Sequence, residues 1–350
     1  MKNAKSYHDE INKSNIIKLR QLMEELPSFC RQFFRGIEDT TESRTRIAYA
    51  YDLGVFFEFL HKNNSVCSKM EIKDFPISIL DQVGREDIEE YMEFLSLYEK
   101  DGMEYTNDER GKRRKLASLR TFYGYFFQNE MIQRNTAELV PLPKLHEKEI
   151  VRLDPNEVAI LLDQVEEGTK MTKRQLRFHD KTKVRDLALL TLLLGTGIRV
   201  SECVGLDLND VDFDNLAIKV HRKGGYEDVV YFGSEVEQAL FSYLDWRKHV
   251  IPMQGHEEAF FLSLQNRRMS VRSVENLVKK YTSLVTTTKK ITPHKLRSTY
   301  GTTLYQETGD IYLVADVLGH KDVNTTRKHY AAMKDDNKRK AAKSVKLREP

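Results

Sequence analysis

Six residues in the second half of the chain form a complete chemical set: Arg199, Lys223, His294, Arg297, His320 and Tyr330. Transfer of a DNA phosphodiester without a metal passes through a pentavalent transition state whose negative charge lies on the nonbridging oxygens. Planar guanidinium forks aimed at those oxygens are the strongest stabilisers a protein can offer. Arg199 follows the glycine-flanked turn Gly195-Thr-Gly-Ile198 at the start of a helix, where the positive end of the dipole also favours an anion. Arg297 lies three residues after His294 in Thr292-Pro-His-Lys-Leu-Arg297, a spacing that puts both on one helical face. One of the pair can then clamp while the other moves a proton.

The remaining groups suit the attack and the departure. Lys223, at the turn of a hairpin, is a candidate acid for the leaving 5′ oxygen, because a hairpin tip can reach into a groove. Tyr330 is the candidate nucleophile. A free phenol ionises near ~10, so neighbouring Arg and His groups must favour the phenolate or take its proton during attack. His320, ten residues earlier at a helix end, can assist in this or bond the phosphate. Singly, each residue has a plainer reading, as a solvated surface cation, a structural histidine or an amphipathic tyrosine. The set and its order carry the argument.

The elements that must hold this set are mostly helical. Apolar positions at helical spacing predict helices over 41–60, 88–98, 116–127, 155–165, 184–194, 234–247, 270–281, 294–306 and 310–318, with another after Asn324. The helix 184–194 is almost wholly apolar, hence buried, and Gly195-Thr-Gly197 stops it; Gly319 caps the helix before it. Alternation over Leu216, Ile218 and Val220, the turn Lys223-Gly-Gly225 and the return Val229–Phe232 predict a hairpin. No strand is expected before residue 140. The Pro-containing stretch Pro141–Glu149 reads as an extended linker.

Bulk properties agree with a folded, two-domain, DNA-handling protein. The chain has 350 residues, more than one typical domain, and a net charge of +3 that is unevenly spread. Asp81–Glu104 is mainly acidic, whereas Arg267–Arg297 carries nine Lys or Arg against Glu275, as a face for a polyanion would. Cys30, Cys67 and Cys203 are odd in number and lack metal-ligand spacing, which argues against a disulfide framework or zinc site and for a reducing compartment. With no apolar run near the ~20 residues that span a bilayer and no apolar signal core, the expected location is the cytoplasm, without membrane contact.

In the first half, Lys112, Arg113, Arg114, Lys115, Ser118 and Arg120 share a helix with Leu119, Phe122 and Phe126. The aromatics read as core and the polar side as a phosphate or groove contact. Arg44 and Arg46 are weaker candidates of the same kind.

The boxes Gly195-Thr-Gly-Ile-Arg-Val-Ser-Glu202, Arg222-Lys-Gly-Gly225, Thr292-Pro-His-Lys-Leu-Arg297, Leu318-Gly-His320 and His329-Tyr330 closely resemble, in order and context, those of tyrosine site-specific recombinases, especially the Xer type. The resemblance covers about residues 40 to 335. It implies a mainly α fold with a small β-sheet, arranged as a C-shaped clamp on DNA. A helical core-binding domain (1–140) and a linker (141–150) would precede the tyrosine-recombinase catalytic domain (151–334). The tail 335–350 would dock on a neighbouring protomer.

The same resemblance implies that Arg199 and Arg297 clamp the phosphate, Lys223 is the general acid, and His294 the general base or proton shuttle. His320 would bond the phosphate, and Tyr330 would form a 3′-phosphotyrosyl link, with Glu202 buttressing Arg199. The ester stores the bond energy, so no cofactor, metal or ATP is required. The partner would be a double-stranded recombination site, with four protomers in the synaptic complex and a monomer or weak oligomer off DNA. The biological role would be chromosome dimer resolution or mobile-element integration and excision.

Two other classes share parts of this pattern. A catalytically inactive DNA-binding relative, acting as a repressor or architectural protein, would tolerate loss of Tyr330, and the complete set speaks against it. A type IB topoisomerase shares the chemistry, but the shorter chain and the Xer-like boxes disfavour it. The sequence departs from the family pattern at Ser298, where many relatives carry a second histidine. The basic insert Lys170–Lys183 and the lead of some 40 residues before Thr41 are also longer than the family pattern.

Overall fold

The computed structural model describes residues 7–146, 150–222, 224–320 and 323. Lys223 and Tyr330, together with the helix expected after Asn324 and the tail 335–350, lie outside the described residues. The chain divides into two compact units, Met1–Lys148 and Glu149–Pro350.

The first unit is a bundle of amphipathic helices around an aromatic core. Its helices are α1 (Tyr7–Glu24), α2 (Cys30–Gly36), α3 (Ser43–Asn63), α4 (Ile79–Gln82), α5 (Arg85–Phe94), α6 (Glu109–Gln128) and α7 (Thr136–Leu139). Phe33, Phe57, Phe122 and Phe126 are fully buried and meet largely edge to face, for example Phe33–Phe122 with centroids 5.1 Å apart. Such pairs add about 0.5–1.5 kcal/mol each beyond their buried area. The lead before Thr41 belongs to this bundle: Leu19, Leu26, Cys30, Phe33 and Phe34 are all core residues.

Two expectations fail here. A two-stranded antiparallel hairpin, β1 (Leu97–Lys100) and β2 (Met103–Thr106), stands where no strand was expected. Its turn residues Asp101 and Gly102 both have positive φ, 52° and 71°, as a primed two-residue turn requires. Nearly every strand position is exposed, so the apolar alternation that announces a half-buried strand is absent. The helix expected from residue 41 also begins later: α3 starts at Ser43, with Glu42 as its N-cap and no side-chain bond there.

The second unit contains α8 (Pro155–Glu167), α9 (Lys173–Thr196), α10 (Val200–Gly205), α11 (Ser234–Lys248), α12 (Val271–Thr282), α13 (Pro293–Thr308) and α14 (Ile311–Val317). An antiparallel three-stranded sheet runs in order β3 (Val211–Asp212), β4 (Ala217–His221), β5 (Glu227–Tyr231), so the predicted hairpin acquires a third, short strand. The apolar second half of α9 forms the centre, and the helix packs against α8, α11 and α13. Most of the basic stretch 170–183 is helical: from Lys173 onward it forms the first half of α9, started by a capping box between Thr172 and Gln175.

A buried polar knot pins this centre: the Tyr281 hydroxyl donates to Asp186 Oδ2 at 2.9 Å, as does Thr182, while Arg185 binds Oδ1. All three cysteines are buried and free. Among the described residues no helix is long and apolar enough to cross a membrane, and no His/Cys/Asp/Glu cluster could hold a metal ion.

Candidate active site

The site is built around the C-terminal end of α14. The short helix is capped at its start by Asp310, whose side chain accepts from Tyr312 and Leu313, and it packs on α13 through Val314 and Leu318. At its other end Gly319 takes φ +59°; its N–H donates to Asp316 O at 2.7 Å and that of His320 to Ala315 O at 2.9 Å. This is a Schellman closure, and it turns the chain sharply at Leu318-Gly-His320. The terminal carbonyls Val317, Leu318 and Gly319 remain as acceptors at the negative end of the helix.

Three guanidiniums converge on those carbonyls. Arg297, on α13, donates Nη2–H to Leu318 O and Nη1–H to Gly197 O, the latter at 2.6 Å. Arg199, the N-cap of α10, donates Nη2–H to Gly319 O at 3.3 Å. Arg222, at the end of β4, donates to Val317 O at 3.0 Å and Leu318 O at 3.4 Å. Such closely spaced cations need a counter-charge, and Glu202 supplies it. Its Oε1 accepts from Arg199 Nη1 at 2.6 Å, and its Oε2 from Arg199 N at 2.8 Å and Arg222 Nη1 at 3.3 Å.

Gly197 permits this closeness. It caps α9 at φ +63°, and a Cβ there would overlap Tyr300 and come within 2.9 Å of Leu318. The turn Gly195-Thr-Gly-Ile198 thereby delivers both a carbonyl to Arg297 and Arg199 to Glu202.

The sequence-predicted residues are distributed as follows. Arg199, Arg297 and His320 come together at the end of α14. His294 is exposed at the second position of α13, one turn before Arg297, and its carbonyl accepts from Ser298 Oγ at 3.1 Å. Ser298 therefore bonds back to its own helix. Lys223 lies outside the described residues; of its neighbours, Arg222 N donates to Tyr226 O at 2.9 Å and Gly225 N to Arg222 O at 3.1 Å.

The candidate DNA contacts of the first unit are sorted by burial. Arg44 and Arg114 are exposed, and Arg114 also pairs with the buried Asp52. Lys115 and Ser118 turn inward instead: Ser118 Oγ donates to Asp52 Oδ2 at 2.7 Å and Lys115 Nζ lies 3.4 Å from Oδ1. They share the helix face of Leu119 and Phe122, and desolvation lowers the Lys115 pKa despite the attraction of Asp52. Arg46 is buried against Glu38 at 2.8 Å. Lys112 bonds Ser96, Arg113 the carbonyl of Pro143, and Arg120 those of Ala137, Glu138 and Val140.

Residues 152–337 match the phage integrase family, more than half of the chain. The chain belongs to this family of tyrosine recombinases, on its Xer-like branch. Tyrosine recombinase XerC of Caldanaerobacter subterraneus is 33% identical over 80% of this recombinase and 75% of the relative. Tyrosine recombinase XerS of Streptococcus agalactiae is 29% identical over 92% and 96% of the two chains. Among solved structures, XerH bound to a palindromic difH substrate in a post-cleavage complex superposes with TM-score 0.65 at 17% identity, covering 98% of this chain and 91% of that one. The Tn1549 transposon integrase with circular intermediate DNA gives 0.62 at 22% identity, over 87% and 95%. At these identities the structures establish a shared fold.

One residue of the cluster at the end of α14 escaped the sequence reading. Arg222 appears there only as the first residue of the box Arg222-Lys-Gly-Gly225. Its burial could be inferred only from the alternation of β4, since Ala217, Ile218 and Val220 are all buried positions and 222 continues the same parity as 218 and 220.

Proposed function

We propose that the protein cleaves and rejoins double-stranded DNA at a specific site through a covalent 3′-phosphotyrosyl intermediate. The phenol oxygen of Tyr330 attacks the scissile phosphorus, His294 accepts or relays the phenolic proton, and the bond to the 5′ oxygen breaks. Lys223 gives that oxygen its proton. Arg199, Arg297 and His320 bond the nonbridging oxygens while charge builds there. Because the tyrosyl ester conserves the energy of the broken bond, the reversal needs neither ATP nor metal.

The observation that carries this reading is the convergence of Arg199 and Arg297 on one helix end beside His320. Arg199 engages two of its five N–H donors among the described residues and its side chain is 31% exposed, so a face of the fork remains open to an anion.

The first unit would act as the core-binding domain and the second as the catalytic domain. Four protomers would assemble on two sites, with the tail 335–350 docking on a neighbour, in chromosome dimer resolution or in mobile-element integration and excision. The test is a nicked suicide duplex carrying the site that the protein selects from random-sequence DNA. The intact chain is expected to leave a detergent-resistant protein–DNA adduct and Tyr330→Phe to leave none. Absence of an adduct from the intact chain would favour a binding-only protein. Deleting the residues after Lys334 should weaken synapsis more than single-site binding, and equal loss of both would refute tail docking.

A further inference from the structure

Arg222 differs from Arg199 beside it, whose side chain is 31% exposed. The Arg222 side chain is 1% exposed, and every one of its three guanidinium nitrogens is engaged. Nε donates to Asp228 Oδ2 at 2.9 Å, Nη1 to Glu202 Oε2 and Leu318 O, and Nη2 to Val317 O. Gly319 lies directly against it, since a Cβ at 319 would come within 2.9 Å of Arg222 Cζ and Nε. A fork so enclosed has no face for a DNA phosphate. Its contacts instead join three parts of the site: the hairpin through Asp228, the Arg199 anchor through Glu202, and the turn into His320 through the α14 carbonyls.

The backbone of Arg222 adds a second constraint. Its N–H and its carbonyl close the loop 223–225 on both sides, by bonds to Tyr226 and Gly225. Lys223 follows Arg222 directly in the sequence. An ammonium that must reach a leaving oxygen within hydrogen-bond distance loses its effect when its origin moves by about 1 Å.

We infer that Arg222 is a positioning residue that ties the strand leading into Lys223 to the C-terminal end of α14; Arg199 keeps its own two bonds to Glu202 without it, so the task of Arg222 is the placing of the leaving-group acid. The inference rests on Lys223 being the acid for the 5′ oxygen. It predicts that loss of Arg222 harms proton delivery in particular, rather than the chain's integrity in general.

The experiment compares two suicide duplexes of the selected site, one with the ordinary 5′ oxygen at the scissile phosphate and one with sulfur in that bridging position. When P–S breaks, the sulfur departs as a thiolate, whose conjugate acid has a pKa near ~8.5, and needs no proton. Full-length Arg222→Met should form adduct at least about 100-fold more slowly than the intact chain on the oxygen duplex, the scale of general acid catalysis. On the sulfur duplex it should come within a few-fold of the intact chain, as should the control Lys223→Ala.

If Arg222→Met stays slow on sulfur while Lys223→Ala recovers, or if it cleaves the oxygen duplex at the intact rate, the inference is overturned and the role of Lys223 stands. If Lys223→Ala stays slow on sulfur, the acid assignment falls and the inference with it. Should Arg222→Met not fold, Asp228→Asn removes only the charge facing Nε from a half-exposed site. It must show the same oxygen-against-sulfur difference at smaller size; an equal defect on both duplexes sinks the idea.

Discussion

Glu202 grips Arg199 at two places at once, accepting the backbone N–H of Arg199 on one carboxylate oxygen and its Nη1–H on the other, at 2.8 and 2.6 Å. The carboxylate therefore fixes both the start of α10 and the direction of the guanidinium, while it also neutralises Arg222. Removing one partner of a buried ion pair leaves uncompensated charge and costs about 3–5 kcal/mol. Glu202→Ala should lower the stability of the second unit by roughly that amount in urea titration. Glu202→Gln keeps an acceptor for the Arg199 N–H and should lose less stability, yet slow adduct formation by about 100-fold because Arg199 is no longer aimed.

Tyr123 gives a contrasting case in the first unit. It is fully buried, and its hydroxyl has no hydrogen-bond partner among the described residues. Burial, reinforced by Asp87 and Asp81, pushes its pKa far above the ordinary value. A raised folded-state pKa means that the stability this group contributes is fully present below the unfolded pKa of ~10, and is lost as pH rises above it, since only the unfolded chain then ionises. Tyr123→Phe should stabilise the first unit by about 1 kcal/mol at neutral pH and lessen its loss of stability above pH ~10, both measurable by chemical denaturation followed by circular dichroism. Destabilisation by the substitution would mean that the hydroxyl is satisfied.

Burial also divides the cations of the first unit. A phosphate contact contributes to the salt dependence of DNA affinity, and removing one lowers the slope by about one unit. Arg44→Ala and Arg114→Ala should show that change. Lys115→Met and Ser118→Ala should leave the slope as it is and reduce stability instead, because both residues solvate the buried Asp52. Affinity measured over a salt series, beside a denaturant titration of each variant, separates the two groups.

The division also marks what the sequence could and could not disclose. The long helices were legible because α6, α11 and α12 carry sustained apolar stripes, and the turns at Gly197 and Gly319 because both glycines take the left-handed conformation expected of them. The hairpin at Leu97–Thr106 was missed although Asp101-Gly102 is a recognised turn pair, because its strands bury little and so lack a pattern. The basic composition of 170–183 hid the Thr172 capping box that begins α9. In the candidate site, residue types and order pointed to Arg199, Arg297 and His320, which the fold brings together at the end of α14, and to His294, which lies exposed one turn before Arg297. Arg222 was invisible as a functional group, because its burial depends on α14, which lies some 95 residues further along the chain.

The packing of Gly319 against Arg222 supplies the last test. At φ +59° a left-handed alanine alone costs about 1 kcal/mol or slightly more. Here the new Cβ would also press on Arg222 Cζ and Nε at 2.9 Å, and the guanidinium cannot yield without releasing Val317, Leu318 or Glu202. Gly319→Ala should therefore cost more than a glycine cap elsewhere. Gly309→Ala is the internal reference, since it has φ +70° with open space around its Cβ position. Both variants should lose stability through the backbone, but only Gly319→Ala should lose adduct formation by tenfold or more. Equal activity in the two would show that the contact between Gly319 and Arg222 does not set the geometry of the site.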